Sequence, residues 1–406
     1  MAPFDRFLST LPDPLRTATR DVLLSLTHSQ RKDLEKLLAP LSGSAHILRD
    51  LLDLVRRSWI VGEKHRIAIV GPANVGKSTL YNQLVQRSAD QARVSPVPGT
   101  TRELQEAGAG LFTVVDTPGA DAAGQAGEVG REKAFAAARG ADFLVIMFDA
   151  THGIRRGDES LYDELVALGK PYLVVLNKVD LVPKHELVAV HSSAAENLGL
   201  EDSMLIDAVA KDGVNMDRIV LAVALAEPGL APAIAEALPE YQARLAWQRI
   251  IPSASAAATI ALLPLPIADV IPLLGIQIGL VLALARIYGL TVGLSRAREL
   301  AATFGAGFAA RTAFGELSKL GGVPGWLLSA SVAAATTVAI GYGASIWFAR
   351  GERPTRAQLE QMEREVVRHL SEQLADLRVN KPGQGTLRQR VAKALEQLPN
   401  RLRHQG

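Results

Sequence analysis

The chain has 406 residues, a formal net charge of +2, 34 glycines, 21 prolines and no cysteine. That length allows two or three domains, each with its own core. The near-neutral balance excludes a chain-wide field for nucleic acid or a strongly acidic partner. The missing cysteines exclude disulfides, thiolate zinc sites and thiol catalysis.

The opening "MAPFDRFLSTLPDPL" shows no basic stretch followed by an apolar one, so it does not read as a secretory signal. Residues 1–64 read as a helical segment: "DPLRTATRDVLLSLT" and "AHILRDLLDLVRRSWIV" repeat Leu, Ile and Val at three- and four-residue spacing. Residues 65–228 alternate short β-branched runs with helical stretches. This predicts an α/β domain, a mostly parallel sheet with helices on both faces. Residues 229–350 are apolar, rich in Ala and Gly, and predict an all-α, partly hydrophobic domain. The tail, 351–406, turns abruptly charged, with "RAQLEQMEREVVRHLSEQLADL" as an amphipathic helix.

The chemistry lies in the second block. "HRIAIVGPANVGKSTLYNQL" reads as strand, glycine loop and helix start, and matches G-x-x-x-x-G-K-[ST] from Gly71 to Ser78. Backbone N–H groups of Gly71, Asn74, Val75, Gly76, Lys77, Ser78 and Thr79 are expected to wrap phosphates at a helix N-terminus, where the dipole favours negative charge. Lys77 is expected to reach the β- and γ-phosphates, and the Ser78 hydroxyl to ligate Mg²⁺. "VVDTPG" ends a strand with Asp116, placed to hold Mg²⁺ through water, while Gly119 offers its N–H to a γ-phosphate.

"LNKVD" ends another strand with Asn177, Lys178 and Asp180. A carboxylate at Asp180 accepts from N1 and the 2-amino group of guanine; adenine offers neither donor, so GTP is selected over ATP. After one more strand, "AVAKDG" places the Ala210 N–H and the Lys211 stem over the base.

"GPANVGKS", "PGTTR", "DTPG" and "NKVD", in this order, resemble the GTPase domain of Era-like bacterial GTPases over roughly residues 65–228. The resemblance implies a P-loop GTPase fold and hydrolysis of GTP to GDP and phosphate. It makes "PGTTR" the first switch, with Thr101 (or Thr100) reaching Mg²⁺. The second switch runs from "DTPG" through "ADAAGQAGEVGREKAFAAARG", whose Gly and Ala content suits ordering and disordering.

Two residues depart from related patterns. Ras-type enzymes carry a water-positioning Gln after the DxxG glycine, where this chain has Ala120, so hydrolysis by the chain alone is expected to be slow. Several Era-like GTPases use K⁺ held partly by a phosphate-loop Asn, and Asn74 matches that position. The resemblance thus implies potassium-stimulated turnover, with dimerisation through the switches. Asn74 as a mere hydrogen-bonded brace of the loop is the equal alternative. Val209 stands where the family has Ser, removing a hydroxyl near the base.

In the third block, Pro252, Pro264, Pro266 and Pro272 argue against one straight helix from Ile250 to Ala285. Two helices joined at "PLPIAD" are expected, with Asp269 capping the second. The stretch 326–349 is uncharged and flanked by Lys319, Arg350 and Arg353, with Trp326 and Trp347 near its ends. Length and missing charge favour a membrane span, although its Ala, Thr and Gly content also suits a buried helix. The pattern over roughly 250–345 resembles a hydrophobic domain of unknown function that follows Era-like GTPases.

Three functions follow. The favoured one is a GTP switch on the cytoplasmic face of the inner membrane, touching membrane lipid. The second is a soluble factor in ribosome assembly or RNA metabolism. No basic RNA module is evident for it: from Arg350 the tail has 12 Lys or Arg against 7 Asp or Glu, interleaved, without an aromatic platform. The third is a GTP-controlled oligomerising or membrane-remodelling protein. The eight His show no ligand spacing, so no metal beyond Mg²⁺ and K⁺ is expected.

Overall fold

The computed structural model describes residues 66–84, 111–116, 132, 135–201, 204–261, 270–292, 296–297, 299–300, 325–378 and 383–398. The expected N-terminal helices, Thr100, Thr101, Gly119, Ala120, the "PLPIAD" turn and Asp269 lie outside the described residues. Those described fall into two compact units that part between Leu245 and Ala246.

In the first unit, β1 (Ile67–Gly71), β2 (Phe112–Asp116), β3 (Phe143–Asp149), β4 (Tyr172–Asn177) and β5 (Leu205–Ala208) form one sheet in the order β2-β1-β3-β4-β5. Every pairing is parallel. Strands buried on both faces read as unbroken apolar runs, as "IAIVG" and "FLVIMF" do. The strand period of two still decides which helix each residue meets. Ala68, Val70, Leu144, Ile146, Phe148, Val174 and Leu176 pack with Ala138 of α2 (135–140), Leu165 of α3 (Arg156–Val166) and Ala194 of α4 (Leu187–Asn197). On the other face Ile67, Ile69, Phe112 and Val145 meet Leu80 and Leu84 of α1 (77–84), Ile219, Val220 and Val223 of α5 (Met216–Ala226), and Ile234 of α6 (Ala231–Ala237). The fold is thus the expected P-loop α/β architecture, followed by a helical region. Strand order reverses at β1, so the crevice at the carboxyl ends of β1 and β3 is the topological switch point, where open α/β sheets bind ligands.

The chain leaves the first unit through α7 (Gln242–Ile260). Pro252 lies inside this helix rather than at its start. Proline withholds one N–H from the ladder. Nearby hydroxyls of Ser253, Ser255 and Thr259 donate to the carbonyls four residues back, at 2.9, 2.8 and 2.9 Å. The helix ends at Ile260, and α8 (Val270–Ile287) begins beyond the undescribed turn.

In the second unit, α8 and α9 (Gly325–Arg350) run side by side in the same direction: Gln277 meets Thr337, Leu280 meets Gly341, and Tyr288 meets Phe348. The Ala and Gly content of α9 is what lets its neighbours come close. A Cβ on Gly341 would lie 2.6 Å from Ile250 Cγ1 and 3.2 Å from Leu280 Cδ2. Helix α10 (Arg356–Gln373) starts with a capping box: the Thr355 hydroxyl accepts from the Gln358 N–H, and the Thr355 N–H donates to Gln358 Oε1. It lays Leu359, Met362, Val366 and Leu370 inward against the unit, with α11 (Gln384–Glu396) beyond it.

Glu363 of α10 is 4% exposed. Its Oε1 accepts from Thr336 Oγ1 of α9 at 2.7 Å, while Oε2 has no partner among the described residues. Burial raises its pKa above the ordinary carboxylate value, against the lowering effect of the Thr336 bond. A folded-state pKa above the unfolded one means stability is fullest below the unfolded value and is lost as pH rises through the folded one. Glu363→Gln is therefore expected to stabilise the chain by about 1–2 kcal/mol at pH 8 and by much less at pH 5. Chemical denaturation at the two pH values checks this; an equal change at both, or a loss at pH 8, would contradict it.

Candidate functional site

The glycine loop 71–76 follows β1 and feeds α1, whose first residue is Lys77. Lys77 is 2% exposed, and its ammonium donates to the carbonyls of Gly71 at 2.8 Å and Pro72. A buried ammonium is costly unless fully hydrogen-bonded, so it is held over the loop that curves around it. Ser78 and Thr79 are exposed on the first turn. Asp116 ends β2 in register with Gly71, which sets its backbone beside the loop. A neutral hydroxyl and a carboxylate-bearing position thus flank the loop, a hard-oxygen donor set of the kind Mg²⁺ accepts.

Asn177, 3% exposed at the end of β4, ties two loops together. Its Nδ2 donates to Val75 O at 2.7 Å, and its Oδ1 accepts from the Ala210 N–H at 2.9 Å. One side chain therefore fixes the phosphate loop against the turn after β5. The space for it exists only because residue 76 is glycine: a Cβ there would lie 2.3 Å from Asn177 Nδ2, and Gly76 has φ +100°. The Ala210 N–H, expected to face a base, is engaged by Asn177, so contact with a base requires that bond to be shared or exchanged. Gln83 of α1 adds a second tie, donating to Lys211 O at 3.1 Å. The exposed Lys211 side chain leaves its stem available over the same turn.

Lys178 follows with φ +64°, a left-handed conformation that costs an L-residue roughly 1–2 kcal/mol. Its ammonium holds it there, donating to Asn74 O and Asp149 Oδ2, both at 2.6 Å. Asp180 lies exposed in the short turn Val179–Leu181, with no ion pair among the described residues. Asn74 also has positive φ, +63°, which Asn tolerates better than most residues. Its exposed side-chain amide makes no hydrogen bond among the described residues. The loop is braced through the Asn74 carbonyl, which accepts from Lys178.

Asp149 is the site residue that motif spacing missed. It ends β3 in register with Asn177 and accepts from Lys178, from the Thr151 N–H at 2.9 Å and from Thr151 Oγ1 at 2.6 Å. Burial works to raise its pKa, but the hydrogen bonds from Lys178 and Thr151 prevail and hold it below the ordinary value. The signal was present in "FLVIMFDATHG", a second strand that ends, like "VVD", on an acid. Asn215 is likewise unforeseen: its Nδ2 donates to Asp207 O at 2.8 Å and shapes the return from the Ala210 turn into α5.

The structure thus ties the glycine loop to the turns after β4 and β5 through Asn177, which bonds Val75 and Ala210, and Lys178, which bonds Asn74, while Lys77 is held by Gly71 and Pro72 of the same loop. This can cradle phosphates at a helix start, and a base between the turns after β4 and β5.

Comparison with known proteins agrees with that geometry. Residues 66–178 match the family model described as "50S ribosome-binding GTPase", and residues 237–376 match a domain of unknown function, DUF697. The chain is 38% identical over 163 residues to the GTPase Der of Deinococcus deserti, covering 38% of this chain and 35% of that protein. It is 32% identical over 184 residues to the tRNA modification GTPase MnmE of Trichormus variabilis, covering 42% and 39%. Against the GTPase Era of Afipia carboxidovorans identity is 31% over 170 residues, covering 41% and 55%. The chain therefore spans about a third to a half of the length of these curated relatives. Among solved structures, an Aquifex aeolicus Era variant bound to GDP·AlF4⁻ is similar at 26% identity and TM-score 0.32, covering 48% of this chain and 67% of that one. Era in complex with MgGDPNP and a 16S ribosomal RNA segment gives 25% and 0.31, covering 48% and 68%. Residues 66–178 are thus similar to the GTPase domains of Era, Der and MnmE proteins, and residues 237–376 to the DUF697 domain.

Proposed function

We propose that the chain is a molecular switch that binds and slowly hydrolyses GTP, and that its nucleotide state acts on the helical unit at a membrane. The observation that carries the nucleotide half is the Asn177 bridge, which joins phosphate loop and base-facing turn into one rigid receptor. In this reading Lys77 neutralises charge developing on the β- and γ-phosphates. Ser78, Asp116 and Thr101 would hold Mg²⁺, which would supply charge neutralisation at the phosphates. The Gly119 N–H meets the γ-phosphate, Asp180 reads guanine, and the Lys211 stem covers it. Ala120 in place of a water-positioning Gln makes intrinsic turnover slow.

The unbonded amide of Asn74 supports K⁺ as the missing assistant. Turnover is expected to rise several-fold in KCl over NaCl at equal ionic strength, and Asn74→Ala to remove the difference. Equal wild-type rates in both salts would contradict this. Pairing of two copies through the switches belongs to the same reading; mass measured with GTP and with GDP tests it, and with it GTP-controlled assembly.

The membrane half rests on α9, which has 26 residues and an 18-residue window of mean hydropathy 1.5, enough by length and composition to cross a bilayer. Yet 83% of its most apolar window is buried inside the protein. Helix α10, packed along it, carries Arg356, Glu360 and Arg364. This favours attachment at the bilayer surface over a crossing with lipid on all sides of α9.

A soluble role at the ribosome is the second reading, supported by the description of the GTPase family model. Fractionation of the full chain decides between them. The membrane reading expects recovery with membranes; recovery of all the chain in the soluble, ribosome-bearing fraction overturns it.

A further inference from the structure

We propose that the arginine- and aromatic-rich end of the helical unit, where α8 and α9 terminate together, docks on an anionic phospholipid surface. This rests on the membrane reading above and names the face that makes contact.

Because α8 and α9 run in parallel, their last turns arrive at the same end of the unit, with Tyr288 and Phe348 rings 6.3 Å apart. Trp347 lies beside them, half-buried, with the guanidinium carbons of Arg353 and Arg296 at 5.0 and 5.2 Å from its ring centroid. Arg286, Arg350 and Arg353 are exposed, and Leu290 next to them is 40% exposed. At this end Glu299 pairs with Arg296, Glu360 at the start of α10 pairs with Arg356, and Glu352 is exposed. A chain of net charge +2 thus concentrates positive charge where its two apolar helices α8 and α9 finish.

Each part suits a lipid boundary. Tryptophan places an apolar body and a polar edge at headgroup level. Arginines that flank it pair with phosphates through planar, bidentate donors. The exposed Leu290 adds a shallow apolar contact. The two guanidiniums already engage the Trp347 ring, which leaves it poorly placed to stack a base as an RNA-reading aromatic does. Surface docking also leaves α9 inside its own domain, consistent with its burial.

The test is co-sedimentation of the full chain with vesicles of phosphatidylcholine alone, or of phosphatidylcholine mixed with phosphatidylglycerol, at low and high salt. The wild type is expected to bind the anionic vesicles and to release in high salt. Near an anionic surface each basic residue is worth about fivefold in affinity. The double variant Arg350→Gln with Arg353→Gln is thus expected to bind about 25-fold more weakly. Arg350→Lys with Arg353→Lys keeps the charge and is expected to retain most of the binding. Far-ultraviolet circular dichroism and GTP turnover report that the variants are folded. Wild-type binding that both double variants retain overturns this surface while leaving the membrane reading standing. No wild-type binding to either vesicle overturns the membrane reading and this inference with it. Loss of affinity for ribosomal RNA in the Gln variant, with no vesicle binding by the wild type, assigns the patch to RNA and likewise overturns the proposal.

Discussion

Gly76→Ala is expected to abolish tight GTP binding while leaving the helical unit folded. Gly76 has φ +100°, where a Cβ is strained at a cost of about 1–3 kcal/mol. That Cβ would also sit 2.3 Å from Asn177 Nδ2, so either the loop opens or the Asn177 bridge breaks. Breaking it leaves Val75 O and Asn177 with unpaired buried groups, at a further cost of about 1–3 kcal/mol. Together these predict GTP affinity reduced by about two orders of magnitude or more, since each 1.4 kcal/mol is tenfold. Titration with a fluorescent GTP analogue measures it, and circular dichroism reports the helical unit. Affinity within a few-fold of wild type would mean that the loop does not receive the phosphates.

Asp180→Asn is expected to exchange guanine for xanthine. The exposed, unpaired carboxylate of Asp180 can accept two N–H donors at once, and hydrogen bonds to a charged group are worth about 1.5–3 kcal/mol each. Asparagine turns one acceptor into a donor that opposes the guanine 2-amino group, and GTP affinity should fall by about a thousandfold. Xanthine has a carbonyl in place of that amino group, so the introduced side-chain amide pairs with it and XTP binding improves. Competition between GTP and XTP checks this; unchanged preference for GTP would place the base elsewhere.

Much of this site was legible because phosphate and guanine recognition depends on short local patterns. "GPANVGKS" and "NKVD" place donors by loop geometry that glycine and a strand end dictate. What the motifs do not contain is how the loops hold one another. That Asn177 spans from Val75 to Ala210, 102 and 33 residues away, is set by β1 and β4 ending at the same edge of the sheet. Asp149 escaped notice for the same reason: only its register beside Asn177 turns an isolated acid into the partner of Lys178.

In the helical unit, composition gives the number of helices but not their bounds. The prolines argue against one straight helix from Ile250 to Ala285, and the helices do part between Ile260 and Val270, but Pro252 itself lies inside α7. The apolar stretch at 326–349 reads equally as a span or a core helix, because hydropathy does not say what covers it. The apolar stripe of α10, with Leu359, Val366 and Leu370 turned inward, supplies that cover.

The nucleotide claim is tested most directly by incubating the full chain with GTP or ATP and Mg²⁺ and measuring binding and phosphate release. GTP binding that excess ATP does not displace is expected, with slow release of phosphate that Lys77→Ala abolishes. Equal use of ATP, or no binding of GTP by the folded wild-type chain, would contradict it.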